Sequence, residues 1–493
     1  MSLNLTGVTI SSSYVSISKP DSTNLVVPTL VSTTGKFIDT QILPTTGTYT
    51  IMEDPSGAYI GSATLTLYDV TDVSGTITPG GPPVTATITT LGQNAQYTFA
   101  GTAGQRISLL MTAVTTSCNV NIYKPDGAIL AGFYNPGSGS FIDTQTLPAT
   151  GTYTILVDPF FANTGSMTLT LYDIPADVMG SITPGGSPVT VTTSVPGQNA
   201  KLTFSGTAGQ LVSLNLTNVT ISSSYVSISK PDSTNLVAQT FVSTSGKFID
   251  TQTLPTTGTY TILLDPSNNY TGNATLTLYG VPANGNSAIT PGGSSVTVTT
   301  TVPGQNAALS FTGTTGQRVS LNMTSVTING SNVYIYKPDG SILVWYPNVN
   351  TTGAYIDAIT LPAAGTYSIL VDPQIAYTGS MTLTLYNVVD FSGSTTVGGS
   401  SVTVTLSTPG QNGQVTFSGT SGQQVTVRVT SNTIAGVTVK LLKPDGSQLT
   451  SSFSSSSSFN LTQQTLPSTG TYTIVIDPGG TATGSMNVSV TSP

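Results

Sequence analysis

The sequence contains no histidine and only one cysteine, Cys118, in 493 residues. Lacking histidine, it lacks the usual general base, the usual zinc ligand and the imidazole of Ser/His/Asp and Cys/His triads. A single cysteine excludes an intrachain disulfide, and Cys118 reads as a small buried apolar residue. Charge is scarce too: 6% of residues carry it, against roughly 25% in an average soluble protein. With 12 basic and 20 acidic residues and a net charge of −8, the chain has no electrostatic footprint for nucleic acid or an anionic membrane. No apolar run approaches the ~18 residues of a membrane span. Residues 1–10 lack the basic start and apolar core of a signal peptide. Glutamate occurs once, at Glu53, next to Asp54. That acid pair could suggest acid/base work, but Glu53 reads as a surface substitution at a strand end, aligned with Leu156, Leu263, Leu370 or Val475. No enzyme is expected.

What the sequence does have is repetition. The phrase LPTTGTYTILLDP, from Leu254 to Pro266, recurs in near-copies that start at Leu43, Leu147, Leu361 and Leu466. A second marker, GQN, stands at Gly92, Gly197, Gly304 and Gly410. The resulting period, close to 106, is too long for one solenoid coil and suits a small domain. Five units follow: an N-terminally truncated repeat over 1–70, then repeats over 76–174, 181–281, 288–388 and 394–493. The first begins at the equivalent of Ser213 and lacks the stretch that carries GQN in every later copy. Copies also alternate, because residues 2–26 and 213–237 differ only at Gly7 and Asn218. A pair of units therefore looks like the element that was duplicated.

Within each copy apolar and hydroxyl residues alternate. Tyr153, Ile155 and Val157 take one face of a strand while Thr152 and Thr154 take the other. This is the mark of half-buried antiparallel strands. With 51 Gly and 30 Pro supplying turns such as PGQN, TAGQ and KPDG, about eight short strands per copy are expected. The predicted fold is all-β: tandem antiparallel β-sandwich domains, jelly-roll-like, in an extended array joined by TPGG linkers such as residues 183–186.

The order GQNAKLTFSGTAGQLVSLNLT, then a KPD turn, then LPTTGTYTILLDP and a closing TLTLY strand resembles the bacterial pre-peptidase C-terminal domain. The resemblance spans copies two to five and most of copy one. It implies a secreted, cell-surface, bacterial setting and a β-sandwich appended to peptidases or strung in tandem. Through the related collagen-binding domains it also raises calcium, although the acids expected in the linkers are only scattered here, as Asp69, Asp72, Asp173, Asp177 and Asp390.

Candidate sites are few. The aspartates of the FID-type strand, Asp39, Asp143, Asp250 and Asp357, are weak calcium candidates. Those of the KPD and Asp-Pro phrases read as turn and cap residues. The KPD lysines read as solvated hairpin charges, and Arg106, Arg318 and Arg428 as partners for carboxylates across strands. Aromatic residues expected at loop tips are the best contact candidates for a ligand or a second subunit: Trp345, Tyr346, Phe133, Tyr134, Phe160 and Phe161. No cofactor is expected. The function expected is an extracellular structural rod, stalk or filament. It would self-associate into a fibre or longer array, its incomplete first domain completed by strands of a neighbouring segment or subunit. Two alternatives stand beside it: an adhesin or module binding a glycan or matrix protein, and an accessory region of a secreted enzyme.

Overall fold

The computed structural model describes residues 1–493 and is all-β, without a helix. Repeat one has six strands: β1 (Ser2–Thr6), β2 (Ser13–Ser18), β3 (Asn24–Val31), β4 (Lys36–Ile38), β5 (Thr50–Pro55) and β6 (Thr64–Tyr68). They form two three-stranded sheets, ordered β4-β1-β6 and β3-β2-β5. Repeat two has nine strands. These are β7 (Val73–Thr76), β8 (Val84–Ile88), β9 (Ala95–Gly101), β10 (Arg106–Thr112), β11 (Cys118–Tyr123), β12 (Ile129–Tyr134), β13 (Ser140–Thr146), β14 (Gly151–Pro159) and β15 (Gly165–Asp173). Its sheets run β12-β11-β14-β9-β7 and β13-β10-β15-β8. Repeats three and four reproduce this order, and repeat five splits the β13-type strand into two short pieces.

The alternation in sequence becomes alternation in burial. Tyr153, Ile155 and Val157 of β14 are wholly buried, with Leu109 and Met111 of β10 and Leu169 of β15 in the same cluster. Both sheets thus turn one face to a shared core, and threonines line the outer faces. The GTY phrase is the centre of that core. Tyr153 stacks on Phe99 at 5.3 Å and its hydroxyl donates to the Ala149 carbonyl at 2.8 Å. Gly151 is needed because a Cβ there would lie 2.7 Å from the ring of Pro125, the proline of the KPD turn. One short phrase therefore locks a strand, a turn and an aromatic pair together, and does so in four repeats.

The expected fold class, tandem antiparallel jelly-roll-like β-sandwich domains in an extended array, is corrected to an all-β solenoid. A ninth strand precedes the eight that were expected, and it pairs in parallel: Val73 with Ala95 through Thr76 with Thr98, and likewise in repeats three to five. The direction follows from the path of the chain, which leaves β7, crosses to β8 in the facing sheet and returns as β9. Parallel neighbours need such a crossover. The TPGG stretch is no linker either. The Gly185 amide donates to the Leu278 carbonyl at 2.8 Å, so the turn docks on the last strand of its own repeat. Side-chain hydrogen bonds between repeats join neighbours only. The chain is an all-β array organised, like a solenoid, along one dimension.

Repeat one lacks counterparts of β7, β8 and β9. Its buried cluster has 8 residues, against 20 in repeat two. Leu65 and Leu67 of β6 are 40% and 53% exposed, whereas their counterparts Leu169 and Leu171 are at 0% and 1%.

Candidate functional site

Two places concentrate unusual chemistry: the joints between repeats, and the open side of repeat one. Each joint is built by the GQN phrase. Thr144 and Ser108 of repeat two donate to the carbonyls of Gly197 and Pro196 at 2.7 and 2.8 Å. Thr251 and Ser213 repeat this on Gly304 and Pro303. A Cβ on Gly197 would meet the Thr144 hydroxyl at 2.7 Å, so glycine allows the two repeats to touch. The glutamine then holds the incoming segment: Gln198 accepts from the Ser194 amide and donates to the Ala176 carbonyl, both at 2.9 Å.

Joints differ in charge. Between repeats two and three, Asp177 lies 2.6 Å from Arg106 and 2.8 Å from Lys201. Burial works to raise the Asp177 carboxyl, but hydrogen bonds from Lys201 and Arg106 outweigh it and hold it below the ordinary range. Arg318 and Asp390 pair at the joint of repeats four and five. The joint of repeats three and four has Leu211 and Asn284 at these places, and no ion pair. Elsewhere on this joint a groove of about 810 Å³ is lined by Lys247, Phe248 and Asp250 on one side and Asn332, Asp372 and Ile375 on the other. Burial, with Asp250 adding like charge, pushes Asp372 up to about 6. Asp158 and Asp265 are raised in the same manner, by burial first and then by Asp39 and Asp143 of the preceding repeat.

These carboxyls set a pH dependence. A carboxyl whose folded pKa of about 6 exceeds its ordinary 3.8 binds more protons folded than unfolded over that interval. Stability from this group is therefore fully present below about 4 and is lost as pH rises through 6. Thermal unfolding of repeat four should occur at higher temperature at pH 4.5 than at pH 7.5, and Asp372→Asn should flatten that difference. An unchanged profile in the variant would show that Asp372 is not its source.

The expected site residues scatter. Trp345 and Tyr346 lie within one strand, Ile342–Val349, rather than at a loop tip, and Phe133 and Tyr134 lie within β12. Tyr346 and Phe133 pack against their own cores. Trp345 and Tyr134 are 58% and 76% exposed. Tyr134 meets Phe160 at 5.1 Å, while Phe161 projects at the joint with repeat one, in a groove beside Lys36 and Phe37. Asp39, Asp143, Asp250 and Asp357 each accept from the next residue's amide, and no three acid, histidine or cysteine side chains converge on a metal position. The KPD aspartates cap their turns, as in Asp126 accepting from the Ala128 amide at 2.9 Å. Four KPD lysines pair with the aspartate of their own turn. Cys118 is buried, and burial pushes its thiol up to about 11.

Glu53 is the residue that sequence alignment misplaced. Strand register sets it opposite Val15, as Val157 is set opposite Val120, so it occupies a core-facing position and not a surface one. Its counterparts are Val157, Leu264, Val371 and Ile476, one residue on from Leu156, Leu263, Leu370 and Val475. Because side chains alternate, a slip of one exchanges inside for outside. One Glu53 oxygen accepts from the Ser13 hydroxyl; the other, Oε2, is buried without a partner.

No protein-family model matches the chain, and neither does any curated protein. Among solved structures it is similar to the periplasmic inhibitor of g-type lysozyme from Aeromonas hydrophila. Identity there is 19%, over 20% of this chain and 99% of that one, with a TM-score of 0.17. Tripeptidyl peptidase 2 is matched at 8% identity over 83% of this chain and 36% of that one, with a TM-score of 0.17. The chain is also similar, over about one repeat's length, to the pre-peptidase C-terminal domain of a Bacillus anthracis collagenase, at 10% identity, 21% and 97% coverage and a TM-score of 0.18.

Proposed function

We propose that the protein is an extracellular structural repeat protein, a rod or filament of pre-peptidase C-terminal-like units. Its first repeat is completed by strands from a neighbouring segment or subunit. The observation that carries this reading is the open side of repeat one. Strands β5 and β6 keep free edges where β14 and β15 pair with β9 and β8. Exposed leucines lie beside those edges. Unpaired edges next to apolar surface favour strand addition. The joints support the same reading, since they bind each repeat to the next and add length with every copy.

The reading is tested by supplying the missing strands in cis. Residues 178–211, which fill this place in repeat three, are fused directly ahead of Met1. Amides along Thr50–Pro55 and Thr64–Tyr68 should then gain hydrogen-exchange protection matching Gly258–Pro266 and Gly272–Val281, and self-association should decline. If protection stays as it is in the unfused chain, repeat one is no strand acceptor.

A further inference from the structure

The open side of repeat one is not a neutral copy of the place it matches. The acceptor edges of repeats one and three are nearly the same: TLTLY is common to both, and TIMEDP stands where repeat three has TILLDP. In repeat three the place is filled by strands Val178–Ser181, Val189–Thr193 and Ala200–Gly206. Leu264 there stands opposite Ala200, and both are buried. The same pairing recurs as Val157 with Ala95, Val371 with Ala307 and Ile476 with Gly413. A branched aliphatic always faces a residue with little or no side chain.

Repeat one breaks the rule on the acceptor side alone, with Glu53. Its Oε2 is already out of water and has no donor, even with three strands missing. Adding a strand over it removes the remaining solvent, and a carboxylate in that position requires a cation or a donor. Ala95, Ala200, Ala307 and Gly413 offer none, so no segment of this chain's own later repeats fits by exchange.

We propose that the strand completing repeat one carries lysine or arginine where Ala200 stands in repeat three. Glu53 is then a specificity residue that admits this partner and disfavours the chain's own segments. The inference rests on the strand-completion reading above. Directly opposed residues on one face have Cβ atoms roughly 5 Å apart, within reach of a Lys or Arg head group.

The test titrates two synthetic peptides of residues 178–211, one native and one with Ala200→Lys, onto the full chain and onto the full chain with Glu53→Leu. The unsubstituted chain should bind the lysine peptide about tenfold more tightly than the native one, the size expected of a close charge pair. Glu53→Leu should reverse the order. Equal binding of both peptides, or preference of the unsubstituted chain for the native one, overturns the role of Glu53 and leaves strand completion standing. Failure of both peptides to bind either chain overturns both.

Discussion

Replacing Tyr367 by alanine should cost repeat four about 3–5 kcal/mol, the range for removing a fully buried aromatic. Tyr367 is wholly buried, stacks on Phe311 at 5.2 Å and donates to the Ala363 carbonyl at 2.8 Å. The truncation opens a cavity between the two sheets and leaves that carbonyl without its donor. Tyr367→Phe keeps the ring and should cost only about 1 kcal/mol, one hydrogen bond. Because each repeat has its own buried cluster, the damage should stay local. Hydrogen exchange should speed in Gly365–Pro373 and its neighbours while Gly151–Pro159 is unchanged. Uniform loss of protection along the chain would mean that the repeats unfold as one unit. The matching change Tyr49→Ala is a control with a smaller effect. Tyr49 is only half-buried and has no phenylalanine to stack on, since its partner strand is among the three missing.

Why Tyr367 matters was only half legible in the sequence. Alternation along GTYTILVDP sets which residues face inward, and the burial of Tyr153, Ile155 and Val157 follows from it. The spacing does not reveal that glycine meets the KPD proline or that the tyrosine hydroxyl reaches back four residues. The first is a contact between separate segments, and the second depends on how the turn before the strand closes back over the ring. The ninth strand was illegible for a related reason. Val73–Thr76 reads VSGT, with little apolar content, and becomes a strand because β9 offers it an edge. Glu53 shows the opposite failure. The local pattern carried the needed information, since Tyr49, Ile51 and Glu53 share one parity, but an alignment slipped by one residue turned a core position into a surface one. The aromatics failed on context: a ring in Ile342–Val349 points in or out by parity, so Trp345 is exposed while its neighbour Tyr346 packs inward.

The joints carry the second large effect. Asp177→Ala should loosen the junction of repeats two and three. The side chain of Asp177 is 11% exposed and takes Arg106 and Lys201 at once, one from each side of the joint. Removing it strands two cations, of which Arg106 is the more enclosed at 22% exposure. Charge-assisted hydrogen bonds are worth about 1.5–3 kcal/mol each, and screening at the exposed Lys201 lowers its share. The expected cost is about 2–3 kcal/mol, concentrated on the Arg106 contact. Its readout is geometric: limited proteolysis at residues 175–177 should quicken, and the maximum dimension by small-angle scattering should broaden in distribution. The joint of repeats three and four supplies the internal comparison, since Leu211 and Asn284 leave it without an ion pair. If Asp177 is a lock, the unsubstituted chain should already be cut faster at residues 282–284 than at 175–177, and Asp177→Ala should bring the two rates together. Equal rates before substitution would mean that the joints are held by their GQN contacts alone. Ion pairs at the joints of repeats two and three and of repeats four and five, with none between repeats three and four, then fit a chain duplicated in pairs.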